Sequence, residues 1–355
     1  MKNTKINNQQ MSKKHFLPII FLVFNILLIN AQIENRDETA VQSYNLALEK
    51  ISSQLYVEAL SALNTALAVD PSFTEAKIER GKVNFQLGYY DQAFEEIYSV
   101  LTSQPENPKL YFLKAFMEYH TSNYEGAKND FNTALGYGYM KDKCFYYLGL
   151  INYNEFNYTE ALSGFDASVE ISPGNARYLH DRGVTRYMQG DFEGAQSDFR
   201  DAISYDPNMA VAYNSLGIIL MSSQMYEEAI QNFDVAIGLE STNAVYYNSR
   251  GKAKYLSGDI EGATEDFLTA ISYNGSNAVY YNNLGIAKSK LNLGAEALSN
   301  LDQAVILNSS LGVAYLNRGN VKETNGNFQG ACEDWKEASA LGITKAEEYM
   351  EECAY

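Results

Sequence analysis

Proline, histidine and cysteine are scarce in this sequence, and the first two scarcities already narrow the possible folds and functions. Six prolines in 355 residues leave few breaks in regular backbone structure. The three histidines, His15, His120 and His180, have no Cys or carboxylate residues at metal-ligand spacing, so neither a metal nor a cofactor is expected. The sequence also lacks Gly-rich phosphate loops and the GxSxG and HExxH motifs, which argues against an enzyme.

Basic residues are outnumbered as well. The chain has 27 Lys and Arg against 44 Asp and Glu, a formal net charge of −17. Because such a surface repels phosphate backbones, nucleic acid is not an expected partner.

Residues 1–31 have the composition of a secretory signal peptide. Four lysines and no acid precede an apolar run at 16–29, which is shorter than the roughly 20 residues of a membrane-spanning helix. Small Ala31 marks the expected cleavage point. The alternatives are an uncleaved membrane anchor and a start at Met11. We therefore expect export to the periplasm or cell envelope of a bacterium, with no membrane span after cleavage.

A repeat of 34 residues runs through the rest of the chain. Steps of 34 from Ala59 to Ala331 meet alanine nine times, and steps from Ala47 to Gly319 meet alanine or glycine nine times. A large apolar residue follows four positions after each alanine of the first series. We number each repeat so that the first small residue is position 8 and the alanine is position 20. The repeats are then 40–73, 74–107, 108–141, 142–175, 176–209, 210–243, 244–277, 278–311 and 312–345.

A small residue, an alanine twelve positions later and a large apolar residue four beyond it form a pattern that resembles the tetratricopeptide repeat (TPR) family, from residue 40 to residue 345. The resemblance implies an all-α fold, a right-handed superhelical solenoid of about nine helix-turn-helix repeats. Each repeat then has a helix A and a helix B, joined by a turn in which glycines such as Gly258 take a left-handed conformation. Residues 32–39 are predicted to be a linker, and 344–355 a polar-faced capping helix.

The mature chain would have three cysteines, which allow at most one disulfide. Cys332 lies on the last helix B and Cys353 on the capping helix, so a short turn between them can bring the two together. We predict a disulfide between Cys332 and Cys353, and a buried free thiol at Cys144.

Charges at positions 7 and 23 vary together. Five repeats have a base at position 7, and all five have an acid at position 23, whereas none of the four repeats with leucine at position 7 does. Contact between helix A and helix B would explain this, because a buried cationic head must be matched. Coincidence and partners in adjacent repeats are the alternatives. The predicted structural ion pairs are Arg80–Glu96, Lys114–Asp130, Arg182–Asp198, Arg250–Asp266 and Arg318–Asp334.

In the TPR family, positions 2, 5, 9 and 12 of helix A build the inner face of the solenoid. The resemblance therefore implies a peptide-binding groove with three kinds of residue. Asparagine amides could pair with a peptide backbone, aromatic rings could line the groove, and basic residues could receive a carboxylate. These residues are Asn214, Asn248, Asn282, Asn283 and Asn317; Tyr119, Tyr153, Tyr187, Tyr255 and His180; and Lys109, Lys143 and Arg177. For the tyrosines, packing between adjacent A helices is the alternative.

The expected function is a non-enzymatic scaffold that binds a peptide or protein segment on the concave face. The alternative is a structural or assembly subunit of an envelope complex, which would use its acidic convex face and leave the groove empty.

Overall fold

The computed structural model describes residues 36–354, which contain 19 α-helices, a C-terminal 3₁₀ helix and no strand. The predicted signal peptide, its cleavage point and Met11 lie outside the described residues. The chain divides into two compact units, the first ending at Cys144 and the second beginning at Phe145. Among the described residues, no helix combines the length and the apolar character needed to cross a bilayer.

The first unit contains three helix pairs. They are α1 (Glu38–Ser52) and α2 (Tyr56–Val69), α3 (Thr74–Gln86) and α4 (Tyr90–Ser103), and α5 (Pro108–His120) and α6 (Tyr124–Gly136). The boundary between the units falls within α7 (Lys141–Asn154).

The second unit continues with α8 (Tyr158–Ile171) and five further pairs. These are α9 (Ala176–Met188) and α10 (Phe192–Tyr205), α11 (Ala210–Ser222) and α12 (Tyr226–Leu239), α13 (Ala244–Ser257) and α14 (Ile260–Tyr273), α15 (Ala278–Lys290) and α16 (Gly294–Leu307), and α17 (Gly312–Thr324) and α18 (Phe328–Ala340). The last helix is α19 (Lys345–Met350), followed by the 3₁₀ helix Glu351–Ala354. Within each unit successive pairs pack side by side, so the predicted all-α helical-repeat solenoid fold is confirmed.

Helix A and helix B approach closely at positions 8, 20 and 24. All nine alanines at position 20 are fully buried. A Cβ atom added to Gly251 would lie 2.8 Å from the Phe267 ring, which is closer than real Cβ contacts, and 3.2 Å from the Ala263 carbonyl oxygen, which is tighter than most. Glycine at position 8 of this repeat therefore avoids displacing the ring at position 24, which fills the space beyond it.

The turn between helix A and helix B has a left-handed residue in all nine repeats. Gly88, Gly190, Gly258 and Gly326 have φ between 81° and 98°, and Asn292 has φ 60°. The same turn position holds Gln54, Ser122, Phe156 and Gln224 in the other repeats, with φ between 58° and 62°. The geometry of the fold therefore overrides residue preference at those four positions.

Both ends differ slightly from the predicted boundaries. Helix α1 begins at Glu38, inside the predicted linker, because the Asp37 side chain caps it by accepting hydrogen bonds from the Thr39 and Ala40 amides. The predicted cap is a short helix plus a 3₁₀ turn, and Tyr349 stacks on Trp335 at a ring distance of 5.2 Å.

Candidate functional site

The first helices of successive repeats lie side by side in the second unit. We call the surface that they form, on α7, α9, α11, α13, α15 and α17, the helix-A face. Side-chain hydrogen bonds connect α7 with α9 and α9 with α11. The backbones of α11 and α13, α13 and α15, and α15 and α17 lie close together.

Asparagines at positions 5 and 6 form hydrogen bonds between neighbouring helices of this face. Asn283 Nδ2 donates to Asn248 Oδ1 at 2.8 Å, and Asn317 Nδ2 donates to Asn282 Oδ1 at 2.9 Å. Asn282 is only 5% exposed and Asn214 only 6% exposed. Asn214 and Asn282 therefore lie between helices, not on an open groove surface, because position 5 of one repeat packs against position 6 of the next.

His180 belongs to a polar cluster of the same kind. Its Nδ1 lies 2.8 Å from Asp181 Oδ1, and its Nε2 lies 3.2 Å from Ser215 Oγ. Asp181 also accepts hydrogen bonds from the Tyr146 hydroxyl at 2.6 Å and Arg177 Nε at 3.1 Å. Burial opposes ionisation of Asp181, but the hydrogen bonds from His180 and Tyr146 and the charge of Arg177 outweigh it and lower the pKa of that carboxyl.

The contacts among Ser215, His180 and Asp181 have the connectivity of a hydrolase triad. Ser215, however, lies inside helix α11, where backbone N–H groups are donated along the helix. The serine therefore has no neighbouring pair of backbone donors to stabilise an oxyanion. The cluster is best explained as an interhelical contact.

Position-12 aromatics pack against rings of the same repeat. Each contacts the aromatic residue five positions later, across the turn that joins helix A and helix B. Tyr119, Tyr153 and Tyr187 are half-buried in this way, and their rings lie 6.0, 5.5 and 5.4 Å from those of Tyr124, Tyr158 and Phe192. Packing within the repeat therefore uses part of the surface that the groove hypothesis assigned to these rings.

The aromatic pairs give way to smaller residues in repeats 7 and 8. Tyr255 is followed by Ile260 at position 17, and repeat 8 has Ser289 and Gly294 at the two positions. Ser289 borders open space on the helix-A face, whereas the Asn325 side chain occupies the space beside Gly294.

Two cavities of about 180 and 500 Å³ occupy this space on the helix-A face, and Tyr255 and Ile286 line both. The smaller cavity is mainly apolar and is completed by Lys252, Leu256, Phe267 and Asn283. The larger is more polar and is completed by Ser289, Lys290, Asn292, Asn317, Asn320 and Val321. Of the predicted binding residues, Tyr255, Asn283 and Asn317 are thus brought together at one site.

Two side chains that line the larger cavity, Asn317 and Asn320, can each form a further hydrogen bond. Asn317 uses its amide nitrogen on Asn282, which leaves its carbonyl oxygen to accept. Asn320 uses its carbonyl oxygen to accept from Trp335 Nε1 at 2.9 Å, which leaves its NH₂ group to donate. One acceptor and one donor match the N–H and C=O groups of an extended peptide.

The basic residues of the prediction are not part of this site. Lys109 and Lys143 are exposed in the first unit, and Arg177 pairs with Asp181 in the second. The cavities have their own lysines, Lys252 and Lys290, which the sequence reasoning missed. Their positions 9 and 13 lie on the same side of helix A as position 12 and could have been read for charge.

The structure brings the predicted ion pairs of the second unit together. Each arginine at position 7 holds both oxygens of the aspartate at position 23, and these aspartates are at most 3% exposed. The shortest contacts are 2.7 Å for Arg182–Asp198, 2.6 Å for Arg250–Asp266 and 2.6 Å for Arg318–Asp334.

Each of these pairs has two further members. In repeat 7, Arg250 Nη1 also donates to Asp234 of the preceding repeat at 2.7 Å, and Lys254 Nζ lies 2.9 Å from Asp266. Repeats 5 and 9 repeat the arrangement with Asp166 and Arg186, and with Asp302 and Lys322. The pairs within a repeat and the adjacent-repeat partners therefore occur together. The sequence could have predicted these adjacent-repeat partners, because in this unit each repeat with arginine at position 7 follows a repeat with aspartate at position 25.

The first unit has two variations on the arrangement. Arg80 contacts Glu96 and also donates to Asn64 Oδ1 at 3.0 Å. Lys114 Nζ lies 2.5 Å from Asp130 and 3.3 Å from Glu118, so two buried carboxylates share one cation.

Glu118 stands at position 11, where repeats 5, 7 and 9 have a base. Burial raises the pKa of Glu118, and nearby Asp130 adds to this effect against the opposing charge of Lys114. Its carboxyl oxygen Oε2 is buried and has no hydrogen-bond partner among residues 36–354.

Cys332 and Cys353 lie at disulfide distance, with 5.8 Å between their Cα atoms. Cys144 is a buried free cysteine, and burial raises the pKa of its thiol to about 12, aided by the charge of Asp142. Within residues 36–354 no group of His, Cys, Asp and Glu side chains is arranged to hold a metal ion.

The same contacts recur at the same positions of successive helix pairs, which defines an α-helical repeat protein. The tetratricopeptide repeat family model matches residues 44–108 and 180–244. A tetratricopeptide repeat protein from Parabacteroides merdae is similar in structure over 69% of this chain and 97% of its own, with a TM-score of 0.58 and 17% identity. Pseudomonas aeruginosa pilF matches 60% of this chain and 97% of its own, with a TM-score of 0.52 and 18% identity. No curated protein sequence matches significantly. Residues 44–108 and 180–244 therefore match the tetratricopeptide repeat family, and the described part of the chain has the fold of a tetratricopeptide repeat protein.

Proposed function

We propose that this TPR protein is a non-enzymatic scaffold that binds an extended peptide segment on the helix-A face of repeats 7 to 9. TPR-type repeats support a protein-interaction role in general. The observation that carries the more specific proposal is the pair of adjoining cavities around Tyr255 and Ile286. An apolar side chain fits the smaller one, and Asn317 and Asn320 offer an acceptor and a donor to the peptide backbone in the larger.

We further propose that the chain acts in a bacterial cell envelope after export. The basic and apolar composition of residues 1–31 supports this proposal. Intact mass of the protein recovered from cell fractions tests it, since cleavage after Ala31 leaves a chain that begins at Gln32.

Filling the larger cavity tests peptide binding. Ser289→Tyr places at position 12 the residue that repeats 3, 4 and 5 have there, and its ring would occupy the space beside Asn292. Met221→Tyr is the matched control, because it introduces a tyrosine at position 12 of repeat 6, away from both cavities.

Immobilised protein would be used to select binders from a phage library of random dodecapeptides. The wild-type protein and the Met221→Tyr variant should enrich peptides that the Ser289→Tyr variant does not retain. Equal retention by a correctly folded Ser289→Tyr variant would contradict the proposal. It would favour an assembly subunit that uses another face of the molecule.

A further inference from the structure

Two lysines at the cavities differ from their basic neighbours. In repeats 7 to 9 most helix-A cations contact a carboxylate: Arg250, Lys254, Lys288, Arg318 and Lys322 each do so within 3 Å. Lys252 and Lys290 are exposed, and within residues 36–354 neither has an ion-pair partner. One lines the smaller cavity and the other the larger.

The lack of a partner is notable because acids are abundant. The chain has a formal net charge of −17, and repeats 7 to 9 contribute carboxylates at many surface positions. Two unmatched ammonium groups at neighbouring cavities therefore form a local basic spot on an acidic protein. A ligand carboxylate in contact with these two ammonium groups would be attracted to them, whereas a ligand ammonium in the same place would be repelled by them.

The smaller cavity adds an apolar requirement. The Tyr255 and Phe267 rings and the Leu256 and Ile286 side chains provide most of its wall, and Leu256 is 50% exposed. Covering this wall with a ligand side chain removes apolar surface from water on both partners. Tyr255 and Ile286 also line the larger cavity, so the apolar and basic features lie within reach of adjacent ligand residues.

We propose that the segment bound by repeats 7 to 9 carries an apolar side chain, seated in the smaller cavity, beside an acidic side chain that pairs with Lys252 and Lys290. This inference rests on the peptide-binding function proposed above and specifies its ligand. The carboxylate belongs to an internal Asp or Glu, because Asn317 presents an acceptor and Asn320 a donor, which suit a continuing backbone.

The test uses bead-bound hexapeptides, acetylated and amidated so that charge comes only from side chains. Two adjacent central positions are randomised in a glycine–serine background. The wild-type protein should select a Leu, Ile or Phe next to Asp or Glu, and enrich the acids over Asn and Gln by about fivefold to tenfold at physiological salt, since exposed ion pairs contribute modestly. The double variant Lys252→Glu/Lys290→Glu should instead select Lys or Arg beside the apolar residue.

A double variant with the same change of net charge is the control. Lys336→Glu/Lys345→Glu alters two exposed lysines that line neither cavity, and it should keep the preference for acids. Selection without regard to charge, or an unchanged preference in the cavity variant, would overturn the inference. If that charge-blind binding is still abolished by Ser289→Tyr, the proposed peptide-binding function survives. If no hexapeptide binds the wild-type protein, the inference and the function proposed for this site both fall.

Discussion

Replacing Arg250 with leucine should destabilise repeat 7 by an amount that its neighbours limit. Arg250 donates to both oxygens of Asp266, at 2.8 and 2.6 Å, and Asp266 is only 3% exposed. A buried carboxylate left without any cation would cost about 3–5 kcal/mol. Lys254 Nζ lies 2.9 Å from Asp266 in the wild-type protein, and the substitution leaves this second cation in the chain. We therefore expect a loss of about 2 kcal/mol, the usual range for hydrogen bonds to charged groups.

Adding Asp266→Asn should restore part of that loss. Repeats 6 and 8 already have leucine at position 7 and asparagine at position 23, and there the asparagine amide donates to a carbonyl of its own helix, as Asn232 does to Glu228 at 2.8 Å. The new asparagine can form the same bond. The double variant should therefore be more stable than Arg250→Leu alone, with a coupling energy of about 1–2 kcal/mol between the two sites.

Removing the second cation tests the reasoning from the other side. Arg250→Leu combined with Lys254→Met leaves Asp266 without a cation, so the loss should rise to about 3–5 kcal/mol. Repeat arrays can open locally, so amide hydrogen exchange in α13 and α14 is the suitable assay. Additivity of Arg250→Leu and Asp266→Asn to within about 0.5 kcal/mol would refute the argument, because independent sites behave in that way.

Three further predictions concern other parts of the chain. Glu118→Gln should stabilise α5 and α6 by about 1 kcal/mol at pH 8 and by less at pH 4. The pKa of Glu118 is higher in the folded than in the unfolded state, so the ionised carboxylate destabilises the folded state increasingly as pH rises. Denaturant unfolding that shows equal gains at both pH values would contradict this. Phe156→Gly should stabilise the protein by about 1 kcal/mol, since Phe156 has φ 62° and is 77% exposed, and a lower thermal midpoint would count against it. Reduction of the Cys332–Cys353 pair should weaken exchange protection in α19 by up to about 3 kcal/mol, the value for a 21-residue loop, unless non-reducing mass spectrometry finds both thiols alkylatable.

Much of the fold follows from the sequence because its packing rules are local and repeat. The alanines at position 20 and the small residues at position 8 determine where two helices can touch, and they recur without an insertion. The left-handed turn was less accessible. Glycine predicts the left-handed conformation at Gly88 and Gly258. Gln54 and Phe156 adopt the same conformation only because the rest of the repeat requires it.

The candidate site was harder to predict because it depends on contacts between repeats. Position 5 was assigned to an open groove, yet Asn282 is buried against position 6 of the next repeat, and a helical periodicity cannot show that packing. The larger cavity borders the small side chain of Ser289, and a search for conspicuous residues overlooks small ones.

The aspartates at position 25 have a consequence for how the second unit can change its length. Asp166, Asp234 and Asp302 each reach forward to an arginine of the following repeat, which joins repeats 4 and 5, 6 and 7, and 8 and 9. Duplication or deletion of a 68-residue block preserves every such junction. Insertion or deletion of a single 34-residue repeat can instead place a repeat with arginine at position 7 directly after one with Leu268 or Arg200 at position 25. Neither side chain can accept a hydrogen bond from that arginine. Insertions and deletions in this array should therefore be tolerated best in steps of two repeats.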